Sequence, residues 1–255
     1  LYLRFESQRL QPALDLLQRL HLPEDGVGAR VFDLGCGTGT TTRLLQARWP
    51  QAQVVGVDRS EEMLEKARGH EDAIPYQLGS ADEFRAEPLA DLIFSNAALH
   101  WLPDHATLIP RLIGQLSTEG KLAVQMPLSW DEPSHRAMRD VLAERRLGEP
   151  GLRDQMARPP VDPPLQYDHL LAEHCRQHEL WTTTYYQRLP ASGDEHPVLS
   201  WVRSTGLRPI LGGLEDAQRA EFLEHYAAAL DTEYPRAEDG GVLYPFPRLF
   251  FIAQR

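Results

Sequence analysis

Val31-Phe32-Asp33-Leu34-Gly35-Cys36-Gly37-Thr38-Gly39-Thr40 decides how this chain is read. Apolar residues run into an acid, glycine then stands at every second position, and Thr40-Thr41-Thr42 leads into Leu44-Leu45. The pattern predicts a strand that enters a tight turn and opens a helix. Glycines without Cβ atoms let a ligand approach that turn's backbone. Several nucleotide-binding folds use a Gly-x-Gly turn, so the spacing has to choose among them. A dinucleotide fingerprint places its third glycine at position 40, where this chain has Thr40. A phosphate-cradling loop ends in Gly-Lys-Ser/Thr, and no lysine lies near. Nineteen residues after Gly39, the apolar run Gln53-Val54-Val55-Gly56-Val57 ends in Asp58. An acid at that place can accept hydrogen bonds from both hydroxyls of a ribose.

Composition narrows the class. At 255 residues the chain suffices for one large domain, or one domain with a sizeable insertion. A net charge of −11 argues against a nucleic-acid partner, because phosphate binding needs a basic face. A few convergent arginines can still override that field for a small anion. No apolar run approaches the roughly 20 residues that span a bilayer, so no membrane partner is expected and the expected location is cytoplasmic. Two cysteines give no disulfide framework.

Strand-like runs at 30–34, 53–57, 74–78, 90–95 and 121–126 alternate with helical stretches at 40–49, 60–69 and 105–116, after a first helix over 8–20. Such alternation predicts an α/β fold, a mostly parallel sheet of seven strands with helices on both faces. Ligands then bind beyond the carboxyl ends of the central strands, where Gly35–Gly39, Asp58 and Asn96 would cluster. After Met126 the pattern changes. Residues 127–164 are rich in proline and charge, with one helix expected around 134–146. A helix at 166–177, a strand around 179–188, a helical block at 195–234 and a last strand at 248–253 follow. The expected organisation is a core of 1–126 completed by 165–189 and 245–255, with 127–164 and 190–244 as insertions that form a helical cap over the strand ends.

Asp33-x-Gly-x-Gly-x-Gly together with Asp58 resembles the S-adenosylmethionine site of class I methyltransferases. That resemblance implies S-adenosylmethionine as cofactor, a Rossmann-like fold, and no metal. The cofactor contacts it suggests are Asp33, Gly35, Cys36, Gly37, Gly39, Asp58 as ribose clamp, Met63 beside the adenine, and Asn96. Many such enzymes carry an acid after the third strand. This chain has Ser80, which leaves the adenine contact open among Ser80, Ala81 and Asp82. The Asp/Asn-Pro-Pro-aromatic motif that positions an amine is absent from Ser95-Asn96-Ala97-Ala98-Leu99-His100-Trp101, so an amine or base acceptor is disfavoured. His100 invites a general-base reading, but a lone histidine before a tryptophan is more often packing or an oriented donor. Glu173-His174-Cys175-Arg176-Gln177-His178 has histidines at metal-ligand spacing without a second ligand pair, and reads as solvated surface.

Longer segments resemble one family, the trans-aconitate 2-methyltransferases. They are Tyr2-Leu3-x-Phe5 with Arg9 and Pro12, Asn96-Ala97-x-Leu99-x-Trp101-Leu102-Pro103-Asp104-His105, Val124-Gln125-Met126-Pro127, Thr183-Thr184-Tyr185-Tyr186, Trp201-Val202-x-x-Thr205-Gly206-Leu207-Arg208-Pro209, and Phe246-Pro247-Arg248-Leu249-Phe250. The resemblance covers essentially the whole chain and is weakest over 147–164. It implies methyl transfer from S-adenosylmethionine to a carboxylate of trans-aconitate or a closely related small polycarboxylic acid; a monomer is expected, though the sequence leaves the oligomeric state open. A carboxylate is already ionised near neutral pH. No catalytic base is therefore expected, only alignment and exclusion of water. Arg208 and Arg248 are the expected grips on the carboxylates that do not react. Trp101, Trp130 and Tyr185 or Tyr186 are expected to shape the methyl-transfer end, and Arg9 to bind the cofactor's methionine carboxylate. The rivals are methylation of another carboxylate, such as a malonyl thioester, and a non-catalytic S-adenosylmethionine-binding module. A dehydrogenase is disfavoured by Thr40.

Overall fold

The first strand, β1 (Arg30–Leu34), is flanked on both sides by parallel neighbours, which is why its apolar residues run almost without a break. Six more strands complete the sheet in this computed structural model: β2 (Gln53–Asp58), β3 (Tyr76–Leu78), β4 (Ala90–Asn96), β5 (Leu116–Pro127), β6 (Gln177–Leu189) and β7 (Val242–Gln254). Their order is β3-β2-β1-β4-β5-β7-β6. The pairs β3–β2, β2–β1, β1–β4 and β4–β5 are parallel, and β7 runs antiparallel to β5. The structure describes residues 6–70, 72–203 and 205–255, with the backbone alone for residues 6–9.

The chain forms two compact units. The larger comprises Ser7–Pro127, Pro160–Thr183 and Arg248–Arg255. The smaller comprises Leu128–Pro159 and Thr184–Pro247.

In the larger unit the helices are α1 (Glu6–Gln18), α2 (Thr40–Arg48), α3 (Glu61–Arg68), α4 (His105–Ile113) and α7 (Pro164–His174). Helix α3 starts where Ser60 accepts a hydrogen bond from the Met63 amide at 3.4 Å, with Glu61 and Glu62 in the first turn and Lys66 and Arg68 in the last. Trp181 of β6 lies flat against Phe250 of β7, ring centroids 5.0 Å apart and planes 4° from parallel, and Arg19 covers its other face at 4.1 Å.

The smaller unit has its own apolar core, built by α5 (Pro133–Glu144), α6 (Pro150–Met156), α8 (Pro197–Val202), α9 (Arg208–Gly212) and α10 (Asp216–Glu233). Trp201 meets Phe246 edge-on at 5.4 Å, and Phe222 stacks on Tyr226 at 5.5 Å. Ser134 ties this core together: its amide donates to Tyr234 Oη at 3.1 Å, and its hydroxyl pairs with that of Tyr244 at 3.1 Å.

The proline-rich stretch contains one helix more than its sequence suggests. Pro133, Pro150 and Pro164 each open a helix, the place where a missing N–H costs nothing. Helix α6 has seven residues and none fully buried, so it offers no apolar stripe for periodicity to reveal. The strands β5 and β7 also extend beyond the predicted 121–126 and 248–253, because their outer halves carry mixed rather than continuous apolar residues.

Candidate active site

The turn after β1 is built by three left-handed glycines. Gly35, Gly37 and Gly39 have φ of 76°, 56° and 76°. A Cβ on Gly35 would stand 2.1 Å from the Ala98 Cβ, whereas one on Gly37 would meet nothing within 4 Å. Gly35 is therefore required by packing, and Gly37 leaves open space over the backbone. The Gly35 and Cys36 amides donate to the Val57 carbonyl at 2.7 and 3.1 Å, which extends the β1–β2 pairing into the turn. Gly39 caps α2 without a side-chain hydrogen bond of its own, as a residue without a side chain must.

Asp58 closes the turn from β2. Its Oδ2 accepts from the Gly37 amide at 2.8 Å, and its Oδ1 accepts from the Ser60 amide at 2.9 Å. A carboxylate offers about four acceptor positions, so each oxygen keeps one lone pair for a ligand. The two amide bonds fix the group's direction before any ligand arrives.

Asp33 is buried beneath the turn and accepts from the Thr42 hydroxyl at 2.7 Å. Burial raises its pKa to about 7, the Thr42 bond opposes the shift, and the nearby Asp58 charge adds to it. The folded-state pKa lies above the ordinary value of 3.8, so the folded protein holds a proton that the unfolded chain has lost. Asp33 therefore costs stability progressively as pH rises from about 4 to about 7, with a constant cost above that. Asp33→Asn is expected to raise the thermal midpoint more at pH 8 than at pH 5. Equal shifts at both pH values would show that Asp33 is ionised throughout.

Cys36 turns its side chain into a small apolar cluster with Leu64, Ala67 and Tyr76. Burial pushes its thiol well above the ordinary range, so its part in any ligand site falls to the backbone. Met63 is half-buried on the first turn of α3. After β3, the Ser80 hydroxyl hydrogen-bonds Asp82, and Arg111 of α4 holds the Ala81 and Phe84 carbonyls. Arg9 lies on α1, and its side chain lies outside the described residues.

At the end of β4, Ser95 donates to the Leu34 carbonyl at 2.9 Å, and Ala97, with φ of 53°, donates its amide to the Gln125 carbonyl at 2.9 Å. The 3-10 turn Leu99–Trp101 follows. It is pinned by His105, whose Nε2–H donates to the Leu99 carbonyl at 3.0 Å. The other ring nitrogen, Nδ1, then accepts from the Tyr167 hydroxyl at 2.5 Å, and that hydroxyl accepts from the Asp162 amide at 3.2 Å. Every donor in this chain has one acceptor, which fixes the tautomer. His100 lies beside Trp101, ring centroids 4.8 Å apart and planes tilted by 40°. Burial pushes its pKa down to about 3, helped by the charge of Arg248 and by His105, so it is neutral at physiological pH. Trp101 itself is 48% exposed.

The structure thus brings Asp33, the glycine turn and Asp58 together in the larger unit, and places Asn96 at the end of the neighbouring strand β4. Arg248 belongs to the same unit. It is 5% exposed and stands opposite Pro127 in the β5–β7 register. Trp130, Tyr185, Tyr186 and Arg208 belong to the smaller unit. There Arg139 lies 3.8 Å over the Trp130 ring and donates to its carbonyl at 2.7 Å. Tyr185 packs on the apolar core, while Tyr186, on the opposite face of β6, is 67% exposed. Arg208 is exposed at the start of α9. His174 bonds the Leu170 carbonyl and His178 bonds Asp168, so each of these histidines has a separate local partner.

Two features escaped the sequence reading. The His105–Tyr167 link joins residues far apart in the chain, and no local pattern announces it. Gln125 carried a signal: it is the one polar residue within the apolar run Leu122-Ala123-Val124-Gln125-Met126.

A mostly parallel sheet, a glycine turn beyond its first strand and an acid ending the second define a class I methyltransferase, and residues 31–120 match the family model described as a methyltransferase domain. The fold is shared with the YcgJ protein from Bacillus subtilis, with a TM-score of 0.60 and 17% identity over 98% of each chain. The trans-aconitate 2-methyltransferase of Azoarcus sp. strain BH72 is 47% identical over 100% of this chain and 97% of its own length. The enzyme of the same name from Methylobacterium radiotolerans is 43% identical over 100% of this chain and 96% of its own. The chain belongs to the trans-aconitate 2-methyltransferase family. Among the described residues, no helix is long and apolar enough to cross a membrane.

Proposed function

We propose that this protein transfers the methyl group of S-adenosylmethionine to a carboxylate of trans-aconitate, giving a monomethyl ester. The observation that carries the reading is the likeness to enzymes of that name along the entire chain, the smaller unit included. Asp58 takes the ribose hydroxyls on its two remaining lone pairs, Gly37 lets the cofactor lie on the turn, and Asn96 faces its methionine end. Arg9, Cys36 by its backbone, Met63 and the Ser80–Ala81 segment complete that cofactor set.

The reaction needs no proton transfer. A carboxylate oxygen forms its bond to the methyl carbon while the carbon–sulfur bond breaks, and sulfur keeps the electron pair. Rate then comes from alignment and dryness. Arg208 and Arg248 hold the carboxylates that do not react, and Trp101, Trp130, Tyr185 and Tyr186 surround the transfer end. Residues 127–164 and 190–244 are insertions into the core formed by the rest of the chain. The protein acts as a cytoplasmic monomer on a free small acid, without metal or nucleic acid. Its net charge of −11 suits none of the polyanionic partners.

The test uses methyl-labelled S-adenosylmethionine with a panel of di- and tricarboxylates, scoring label released as methanol by mild base. Base-labile label strongest with trans-aconitate is the expected result. Cofactor binding without labile label from any acid would overturn it. In the same assay Arg248→Ala and Arg208→Ala should each raise the KM for trans-aconitate by about 10-fold or more, the scale of one charged hydrogen bond, with cofactor affinity unchanged. Unaltered kinetics in both would remove the arginines from the site.

A further inference from the structure

Gln125 is buried on β5 at 1% exposure, and neither end of its carboxamide has a hydrogen-bond partner among the described residues. Leaving a buried polar group unpaired is destabilising, because its lost hydration is not repaid. Methionine, of similar size, would avoid that cost. The main-chain carbonyl of the same residue is used, by Ala97. A side chain kept polar in such a place has its partner in the liganded protein.

The sheet register says where that partner lies. Gln125 is opposite Asn96 on β4 and Phe250 on β7, and Arg248 is opposite Pro127, two residues further along β5. Residues opposed in register share a face, and so do residues two apart along a strand. Asn96, Gln125 and Arg248 therefore lie on one face at the carboxyl ends of β4 and β5. Two more buried atoms at this end, Asn96 Oδ1 and His100 Nδ1, also have no hydrogen-bond partner among the described residues. Asp58 ends β2, three strands from β5 in the order β2-β1-β4-β5, which at ~4.8 Å per strand is roughly 14 Å away. A cofactor with its ribose at Asp58 and its chain crossing the β1 turn reaches β4. That leaves β5 to the acceptor.

We infer that Gln125 holds the reacting carboxylate of the acceptor acid, with Nε2–H donating to the oxygen that does not attack. This rests on the methyl-transfer reading above. The chemistry favours an amide here. The reacting group must be oriented, yet its lone pair must stay available to the methyl carbon. A hydrogen bond from a charged donor is roughly twice as strong as one from a neutral donor and would draw that electron density away. Arg248 then grips a carboxylate that stays unmethylated, and neutral His100 adds no second cation beside it.

The experiment compares wild type with Gln125→Met and Gln125→Glu, measuring kcat, KM for trans-aconitate, S-adenosylmethionine affinity by calorimetry and thermal midpoint. Gln125→Met should lower kcat/KM by about 10- to 100-fold, mostly in kcat, the scale of a lost alignment. Cofactor affinity should hold, and the midpoint should stay level or rise because an unpaired buried amide has gone. Gln125→Glu should fall at least as far, since it sets a like charge against the substrate. Three results would overturn the inference: unchanged kinetics in both variants, a loss of cofactor affinity that accounts for the deficit, or a fall of several degrees in the midpoint of Gln125→Met alongside the activity loss. Wild type that binds S-adenosylmethionine but methylates no acid would instead overturn the functional reading, before any variant is assayed.

Discussion

Asp58→Ala is expected to weaken S-adenosylmethionine binding by on the order of 100-fold or more, with S-adenosylhomocysteine weakened in parallel. Two hydrogen bonds from ribose hydroxyls to a carboxylate contribute about 1.5–3 kcal/mol each, and every ~1.4 kcal/mol is tenfold in affinity. The substitution also frees the Gly37 and Ser60 amides, so the turn loses the group that aims it. The product serves as the control. It has the same ribose but lacks the sulfonium charge, so a ribose clamp affects both ligands alike. Loss confined to S-adenosylmethionine would show that Asp58 acts through charge, and isothermal titration with each ligand separates the two.

Gly35→Ala should damage the fold, and Gly37→Ala the cofactor site. A methyl at position 35 would overlap the Ala98 Cβ at 2.1 Å, in a backbone held at φ of 76°. Overpacking costs typically about 1–3 kcal/mol and the left-handed conformation roughly 1–2 kcal/mol. At about 2–4 °C per kcal/mol for a chain of this size, the midpoint should fall by roughly 10 °C. Removing the opposing methyl with Ala98→Gly should recover the overpacking part and leave the conformational part. At Gly37 a methyl meets nothing within 4 Å, so stability should fall only by the conformational part, roughly 1–2 kcal/mol at its φ of 56°, while cofactor affinity falls sharply. Differential scanning fluorimetry and calorimetry on the three variants read both effects. Equal behaviour of the two glycine variants would refute the division of roles.

The core of the fold was legible because β1, β2 and β4 are buried strands whose apolar runs end in turn chemistry. The order of the last strands was not. β7 inserts between β5 and β6, and sequence spacing carries no information on which strand a late segment will pair with. Helix α6 was missed for want of a buried face. At the site, the glycines and Asp58 could be read because backbone geometry demands particular residue types at fixed spacing. Arg208 and Arg248 look alike as letters. Only the fold separates one that opens an exposed helix turn from one that is buried on β7. Gln125 was visible as a polar break in an apolar run, but its significance depends on partners that the sheet brings beside it.

Tyr76 draws a different kind of consequence from the turn. Its ring fills space that two glycines vacate: a Cβ on Gly39 would stand 2.5 Å from its hydroxyl oxygen, and one on Gly56 2.6 Å from its ring. These three positions, on three separate segments, divide a single volume. Across the lineage they are therefore expected to drift as a set, with any side chain gained at 39 or 56 accompanied by a smaller residue at 76. The turn's freedom to evolve is bounded from below by an aromatic ring on β3 that has no need to touch the cofactor at all.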